Sequence, residues 1–501
     1  FHEAVNLAAV WDLPVIFLVE NNGYGLSTPS KDQFRCAHIA DKGIGYGIES
    51  KTIDGNNILE VYTEISTIAA DLRQNPRPFL LECKTFRMRG HEEASGTKYV
   101  PQELMDEWAK KDPIANFENY LLTNKLISVK DIVNIKDAIT DEINEGVKIL
   151  SVHESIDVNT SLELGDVYKP YSPLVKEPSE QRIEMRYIDA IQDGLRTAMR
   201  KYDNLVLMGQ DIAEYGGVFK ITDGFVAEFG VGRVRNTPIS EAAPLGAALG
   251  LSMMGKKSMV EMQFADFVSC GFNQIANNLA KTYYRWGQNS DVVIRMPTGG
   301  GSAAGPFHSQ SNEAWFFHIA GLKIVYPSNP ADAKGLLLAA FEDPNPVLFF
   351  EHKGLYRSIK EDVSVDEFTI EIGKAKKICE GEAITFISYG LGVHWCQEVI
   401  QELNLDATLL DLRSLLPWDK EAVAQAVKAT GKVIIVHEDT LEGGIGGEIS
   451  AWIGEHCFKN LDAPVMRVGS LDTPIPFNAD LELNFMGKAR LKEKVEALLN
   501  W

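Results

Sequence analysis

Long apolar runs are missing from this 501-residue chain. No uninterrupted stretch reaches the roughly 20 residues a membrane-spanning helix needs, and no secretory signal is expected. Clustered basic charge is missing too: Lys+Arg 49 against Asp+Glu 70 leaves a net charge of -21. Nucleic acid and anionic membrane surfaces are therefore poor partners. Cysteine is sparse. Cys36, Cys83, Cys270, Cys379, Cys396 and Cys457 show no C-x-x-C and no regular spacing, which excludes a disulfide framework or a zinc ribbon and suits reduced thiols in a cytoplasmic protein. Zincin, kinase and nucleophile-elbow patterns are absent, as is any short-period repeat. What is present is an ordinary globular composition, 45% hydrophobic and 24% charged, at a length suited to roughly three domains.

The most informative stretch is residues 13–28. An apolar run, Leu-Pro-Val-Ile-Phe-Leu-Val, stops at Glu20-Asn-Asn-Gly-Tyr-Gly25. That pattern predicts a buried parallel strand with a polar loop at its carboxyl end, where open α/β sheets place ligands. Asn21, Asn22 and Glu20 offer oxygen atoms, and the glycines let main-chain carbonyls approach an ion or phosphate. An ordinary strand-to-loop turn uses the same residues.

Ahead of it, Phe1, Ala4, Val5, Ala8 and Ala9 share one face at helical spacing, so the chain starts inside a helix, which points to a segment upstream of Phe1. Behind it, a helix over residues 59–72, a break at Pro76-Arg-Pro78 and a strand over 79–86 give a strand–helix–strand rhythm. Helical patterning then covers 101–150, and a Pro-, Ser- and Asp-bearing linker spans roughly 151–184. The alternation restarts with a helix from Met185 to about Tyr202 and runs through a second block to about residue 372. A third block covers 373–501. Three such blocks predict an α/β fold of three mostly parallel, doubly wound sheets.

Local chemistry singles out few side chains. Glu241 opens a helix rich in Ala and Gly, where an acid also complements the helix dipole and Ser240 suits a cap. His308 lies in the glycine-rich segment 299–310, which has neither Walker nor G-x-G-x-x-G spacing. Phe264 and Phe267 beside Asp266 suit a core as well as a cofactor platform. No reaction follows from these residues alone.

The strings themselves carry a family likeness. Residues 1–17 with Glu20-Asn-Asn-Gly-Tyr-Gly25 resemble the α part of the thiamine-diphosphate-dependent decarboxylating component of 2-oxo acid dehydrogenase complexes. Thr237-Pro-Ile-Ser-Glu241, Gln263-Phe-Ala-Asp-Phe267, Phe307-His-Ser-Gln310 and Asp411-Leu-Arg-Ser-Leu-Leu-Pro-Trp418 resemble its β part. The resemblance implies a fusion: an α remainder over 1–150, a linker over 151–184, a pyrimidine-binding domain over 185–372 and a transketolase-like C-terminal domain over 373–501. It implies magnesium and thiamine diphosphate bound between the α domain and the first β domain, with Asn22 and the Tyr24 carbonyl as metal ligands. The family's third protein ligand, an Asp in Gly-Asp-Gly, is expected upstream of Phe1. Glu241 matches the glutamate on the aminopyrimidine ring, His308 an active-site histidine, His91 a loop histidine near the diphosphate, and Phe267 an aromatic against the pyrimidine. Glu92 and Glu93 stand where mammalian members carry regulatory serines, so phosphorylation control is not expected there. The implied activity is oxidative decarboxylation of a 2-oxo acid, branched-chain rather than pyruvate, with acyl transfer to a lipoyl-bearing acyltransferase by a homodimer of fused chains. A transketolase-type enzyme and a non-catalytic scaffold of the complex are the alternatives.

Overall fold

The computed structural model describes residues 1–152 and 158–501, in two units, Phe1–Asn159 and Thr160–Trp501. Residues 153–157 of the expected linker lie outside the described residues.

The first unit is built on a three-stranded parallel sheet. Strand Phe79–Lys84 is central, flanked by Ile16–Asn21 and Glu49–Asp54, with Ile16 and Glu49 both in register with Phe79. A crossover helix, Ile58–Gln74, links Glu49–Asp54 to Phe79–Lys84. It starts where Asn57 accepts the N–H of Glu60 and stops before Pro76. Its buried Ile68 and Leu72 pack on Ile53, Phe79 and Leu81. Strand Ile16–Asn21 is less buried than its apolar run predicts: Leu18 is 42% exposed, and the strand lies at the edge of its sheet. The first helix, His2–Val10, buries Val5, Leu7 and Ala8, whereas Phe1 and Ala4 face out. The expected helical region becomes three helices, Gln102–Ala109, Pro113–Thr123 and Val129–Val152, broken where Asp112 caps the second with Pro113 in its first turn.

The second unit holds two larger sheets. The seven-stranded one runs in the order Ser414–Leu416, Lys323–Val325, Val347–His352, Val292–Thr298, Lys257–Glu261, Leu205–Gly209, Val234–Asn236, and is parallel except at the first strand. The five-stranded one runs Lys376–Cys379, Ala407–Asp411, Ile384–Ser388, Val433–Thr440, Met466–Ser470, antiparallel only at its first strand. The α/β, mostly parallel expectation holds in all three sheets. The helix expected from Met185 starts later. Arg182–Arg186 is a strand, paired antiparallel with Lys360–Ser364, and the helix is Tyr187–Lys201. Its Arg-Ile-Glu-Met-Arg alternates with period two, the strand signal that the following helical pattern masks. Helix Pro330–Glu342 is buried almost all round, down to Lys334, whose Nζ donates to the Ser364 carbonyl at 2.7 Å and pairs with Asp193 at 2.7 Å. No helix among the described residues is long and apolar enough to cross a membrane.

Parallel strands deliver their carboxyl ends to one edge of a sheet. In the seven-stranded sheet, the segments leaving that edge carry Gln210, Glu241, Phe264, Phe267, His308 and Lys353.

Candidate functional site

At the carboxyl edge of the seven-stranded sheet, Glu241 occupies the N-cap position of helix Ala242–Met253 but caps nothing with its side chain. Ser240 does not cap it either, since its Oγ turns back to the Pro238 carbonyl at 3.3 Å. Glu241 Oε1 instead accepts a hydrogen bond from Gln210 Nε2 at 3.1 Å. Gln210 follows strand Leu205–Gly209 directly, so two separate strand ends converge on one half-buried carboxylate. Nothing in the local sequence marked Gln210.

His308 sits against two rings. Its imidazole meets Phe264 and Phe267 edge-on, with centroids 4.8 Å and 5.5 Å apart. Phe264 in turn contacts Phe219, and Lys353 Nζ stands 5.7 Å above its ring. Lys353 is held by the Gly299 carbonyl at 2.7 Å, and burial pushes its ammonium pKa down to about 8. Phe264 and Phe267 are half-buried, so they are neither plain core residues nor free surface. Between them lies buried Asp266, whose Oδ1 accepts both the main-chain and side-chain N–H of Gln310 at 3.1 Å, while its Oδ2 has no partner among the described residues. The site thus offers a carboxylate engaged on one oxygen, an aromatic face and a histidine. A flat, amine-bearing aromatic ring fits that donor set.

In the first unit, the two asparagines of the opening loop divide the work. Asn21 is buried, donating to Glu82 Oε1 at 2.6 Å and accepting the Gly23 N–H at 3.1 Å. Glu82 is wholly buried and also accepts the Ala40 N–H at 3.0 Å and the Thr52 hydroxyl at 3.2 Å. Burial drives its carboxyl pKa upward, but hydrogen bonds from Ala40, Asn21 and Lys84 outweigh it and hold the group below the ordinary carboxylate range. Glu82 was invisible to sequence reasoning because it sits inside an apolar strand. Asn22 is half-buried and its Oδ1 accepts the Tyr24 N–H at 3.0 Å, a turn that presents the neighbouring carbonyls. These are hard oxygen donors of the type magnesium takes. Among the described residues, no group of three or more His, Cys, Asp and Glu could hold a metal.

His91 is exposed, its Nδ1 3.4 Å from Arg87 Nη1. Arg87 also donates to the Leu26 carbonyl at 2.9 Å and the Tyr99 hydroxyl at 3.3 Å, joining the two loops, and its buried Nε has no partner among the described residues. An arginine with a spare donor suits an anion.

Comparison with known proteins covers almost the whole chain. Residues 1–155 match the family described as dehydrogenase E1 component, 183–359 the transketolase pyrimidine-binding domain, and 373–489 the transketolase C-terminal domain. The 2-oxoisovalerate dehydrogenase subunit beta of Bacillus subtilis is 45% identical over 63% of this chain and 97% of that protein. A mitochondrial 2-oxoisovalerate dehydrogenase subunit beta 2 of Arabidopsis thaliana is 42% identical, over 60% of this chain and 86% of its own length. The pyruvate dehydrogenase E1 component subunit beta of Rhizobium meliloti is 36% identical over 62% of this chain and 69% of its own. Among solved structures, a split-gene transketolase described as an inactive beta4 tetramer aligns with a TM-score of 0.52 at 23% identity, over 63% of this chain and 98% of that one, which is a likeness of fold.

Proposed function

The chain belongs to the thiamine-dependent E1 family of 2-oxo acid dehydrogenases, and from that premise we propose that it decarboxylates a branched-chain 2-oxo acid such as 3-methyl-2-oxobutanoate and passes the acyl group to the lipoyl arm of an acyltransferase partner. The observation that carries the reading is Glu241, held on one oxygen by Gln210 with the other left for a ligand, at the strand ends of the segment that is 45% identical to the 2-oxoisovalerate enzyme's subunit. Thiamine diphosphate, when bound, supplies the electron sink that carbon dioxide loss requires. This chain's residues bind and orient. Glu241 would share a proton with the aminopyrimidine ring, Phe267 would line its face, and His308 would serve the acyl group and its transfer. In the first unit, Asn22 and the Tyr24 carbonyl would hold magnesium, and His91, with Arg87, would serve the diphosphate.

The same reading divides the chain into an α-type part over 1–150, a linker over 151–184, a pyrimidine-binding domain over 185–372 and a C-terminal domain over 373–501. It makes the active species a homodimer, and it places the protein in the cytoplasm, where its free cysteines stay reduced.

The test is decarboxylation by the full-length protein with thiamine diphosphate, magnesium and an artificial electron acceptor. Turnover of 3-methyl-2-oxobutanoate well above that of pyruvate is expected. Activity on pyruvate alone removes the substrate preference, and cofactor binding without turnover removes the enzyme reading.

A further inference from the structure

The segment carrying His308 leaves strand Val292–Thr298 and returns on itself. Thr298 Oγ1 donates to the Gln310 carbonyl at 2.7 Å, and the Gly299 N–H reaches the same carbonyl at 3.2 Å. A closed loop of this kind is held in its middle only by what packs on it. Here the packing comes from the C-terminal part of the chain. Glu482, on helix Ala479–Phe485 and 3% exposed, accepts the Gly301 N–H on Oε1 at 2.9 Å and the Ala303 N–H on Oε2 at 2.8 Å. Glu438, on strand Val433–Thr440, accepts the Gly300 N–H at 2.6 Å and the Ser311 hydroxyl at 3.2 Å, while its other oxygen lies 2.5 Å from His352 Nε2.

The loop backbone is shaped for this grip. Gly301 and Ala303 have φ of 91° and 52°, left-handed values that turn nearby N–H groups to one side and form a concavity for an anion. The Glu482 carboxylate fills it. A Cβ at Gly300 would lie 2.9 Å from Met486 Cε and 3.2 Å from Glu482 Oε1, and one at Gly305 would lie 2.2 Å from the Phe477 ring. Side chains there would push the loop off its support.

We propose that Glu482, seconded by Glu438, is a positioning residue for His308: the C-terminal part clamps the loop backbone and so sets where the imidazole stands against Phe264 and Phe267. The proposal rests on the reading of His308 as an active-site residue. The clamp needs both carboxylate oxygens. A glutamine in place of Glu482 turns its NH2 group toward one of the two N–H donors, whereas an aspartate keeps both acceptors on a shorter stem.

A double-mutant cycle in the full chain tests it, comparing wild type, Glu482→Gln, His308→Ala and the double variant in the thiamine- and magnesium-dependent decarboxylation assay. Amide exchange of residues 299–310 is followed on the same proteins. If the clamp acts through His308, Glu482→Gln lowers kcat about tenfold with KM little changed, yet by less than about twofold in the His308→Ala background. Exchange in the loop then rises while strand Val292–Thr298 keeps its protection. Equal losses in both backgrounds, or unchanged turnover in Glu482→Gln, overturn the proposal. Unchanged turnover in His308→Ala removes the histidine's role itself, and with it the proposal, by a result that involves no change at Glu482. Should Glu482→Gln fail to fold, Glu482→Asp decides: recovery of most of the wild-type turnover supports the two-oxygen clamp, and a native-like melting curve with turnover lost overturns it.

Discussion

The imidazole of His308 stands at 85° to the ring of Phe264, centroids 4.8 Å apart, so the histidine is braced by an aromatic edge rather than left free in its glycine-rich loop. Phe264 is itself braced by Phe219, 5.6 Å away at 71°, and Phe219 by buried Tyr356. Replacing Phe264 with leucine keeps an apolar side chain and loses the ring edge. Turnover is expected to fall about tenfold through misplacement of His308, with stability lowered by only about 1 kcal/mol. A kcat measurement beside a urea melt separates the two effects.

Glu241 accepts no N–H of its own helix, so its carboxylate has no capping duty. Glu241→Gln is expected to cut turnover at least about 100-fold, the scale of a lost proton-transfer group, while the melting transition stays near wild type. Gln210→Ala should cost less, since it removes only the partner at 3.1 Å. Wild-type turnover in Glu241→Ala would sink the role given to this residue.

Magnesium dependence probes the first unit. Asn22→Ala removes a side-chain oxygen and the turn to Tyr24, and is expected to raise the magnesium concentration for half-maximal activity by about tenfold or more. Titration of the metal against turnover reads it directly.

Glu82 supports that loop from beneath. Glu82→Ala strands Asn21, the Ala40 N–H and the Thr52 hydroxyl, and is expected to cost about 3 kcal/mol. The carboxyl is held below its unfolded pKa, so its contribution is present above that value and is lost as pH falls through the folded one. The variant should therefore lose the acid limb of the first unit's stability profile, which urea midpoints between pH 3 and 6 will show.

Asp411 has the opposite sign. Burial, then the nearby Asp332 charge, push its carboxyl up to about 7 from an ordinary 3.8. The folded state therefore holds this proton more tightly than the unfolded chain does. Stability from the group is full below pH about 4 and declines as pH rises through about 7, by up to about 1.4 kcal/mol per pH unit. Asp411→Asn can keep the bonds with the Ser328 hydroxyl and the Arg413 N–H, mimicking the protonated acid. It is expected to match wild type at pH 4 and to exceed it at pH 8, and equal urea midpoints at pH 8 would refute this.

Local pattern was enough for much of the architecture. Strand Val433–Thr440 and helix Lys420–Thr430 are legible because apolar runs and 3.6-residue spacing are properties of neighbouring residues. Short or composite elements were not. Arg182–Arg186 straddles the end of the expected linker and the start of the expected helix, and Ser414–Leu416 pairs only when the chain returns it to the seven-stranded sheet beside Lys323–Val325.

The site divides in the same way. Sequence by itself determined which residues are chemically apt and which family they resemble: Glu241, His308, Phe267, Asn22 and Tyr24 all lie in strings readable end to end. Only the tertiary structure decided their partners. Gln210 meets Glu241 across 31 residues, and Glu482 meets Gly301 across 181. The physical reason is that a carboxylate's role depends on whether water or protein N–H groups surround it. Glu482 reads in sequence as an ordinary acid near a helix start, and it becomes a buried acceptor only when the fold brings a left-handed glycine loop against it.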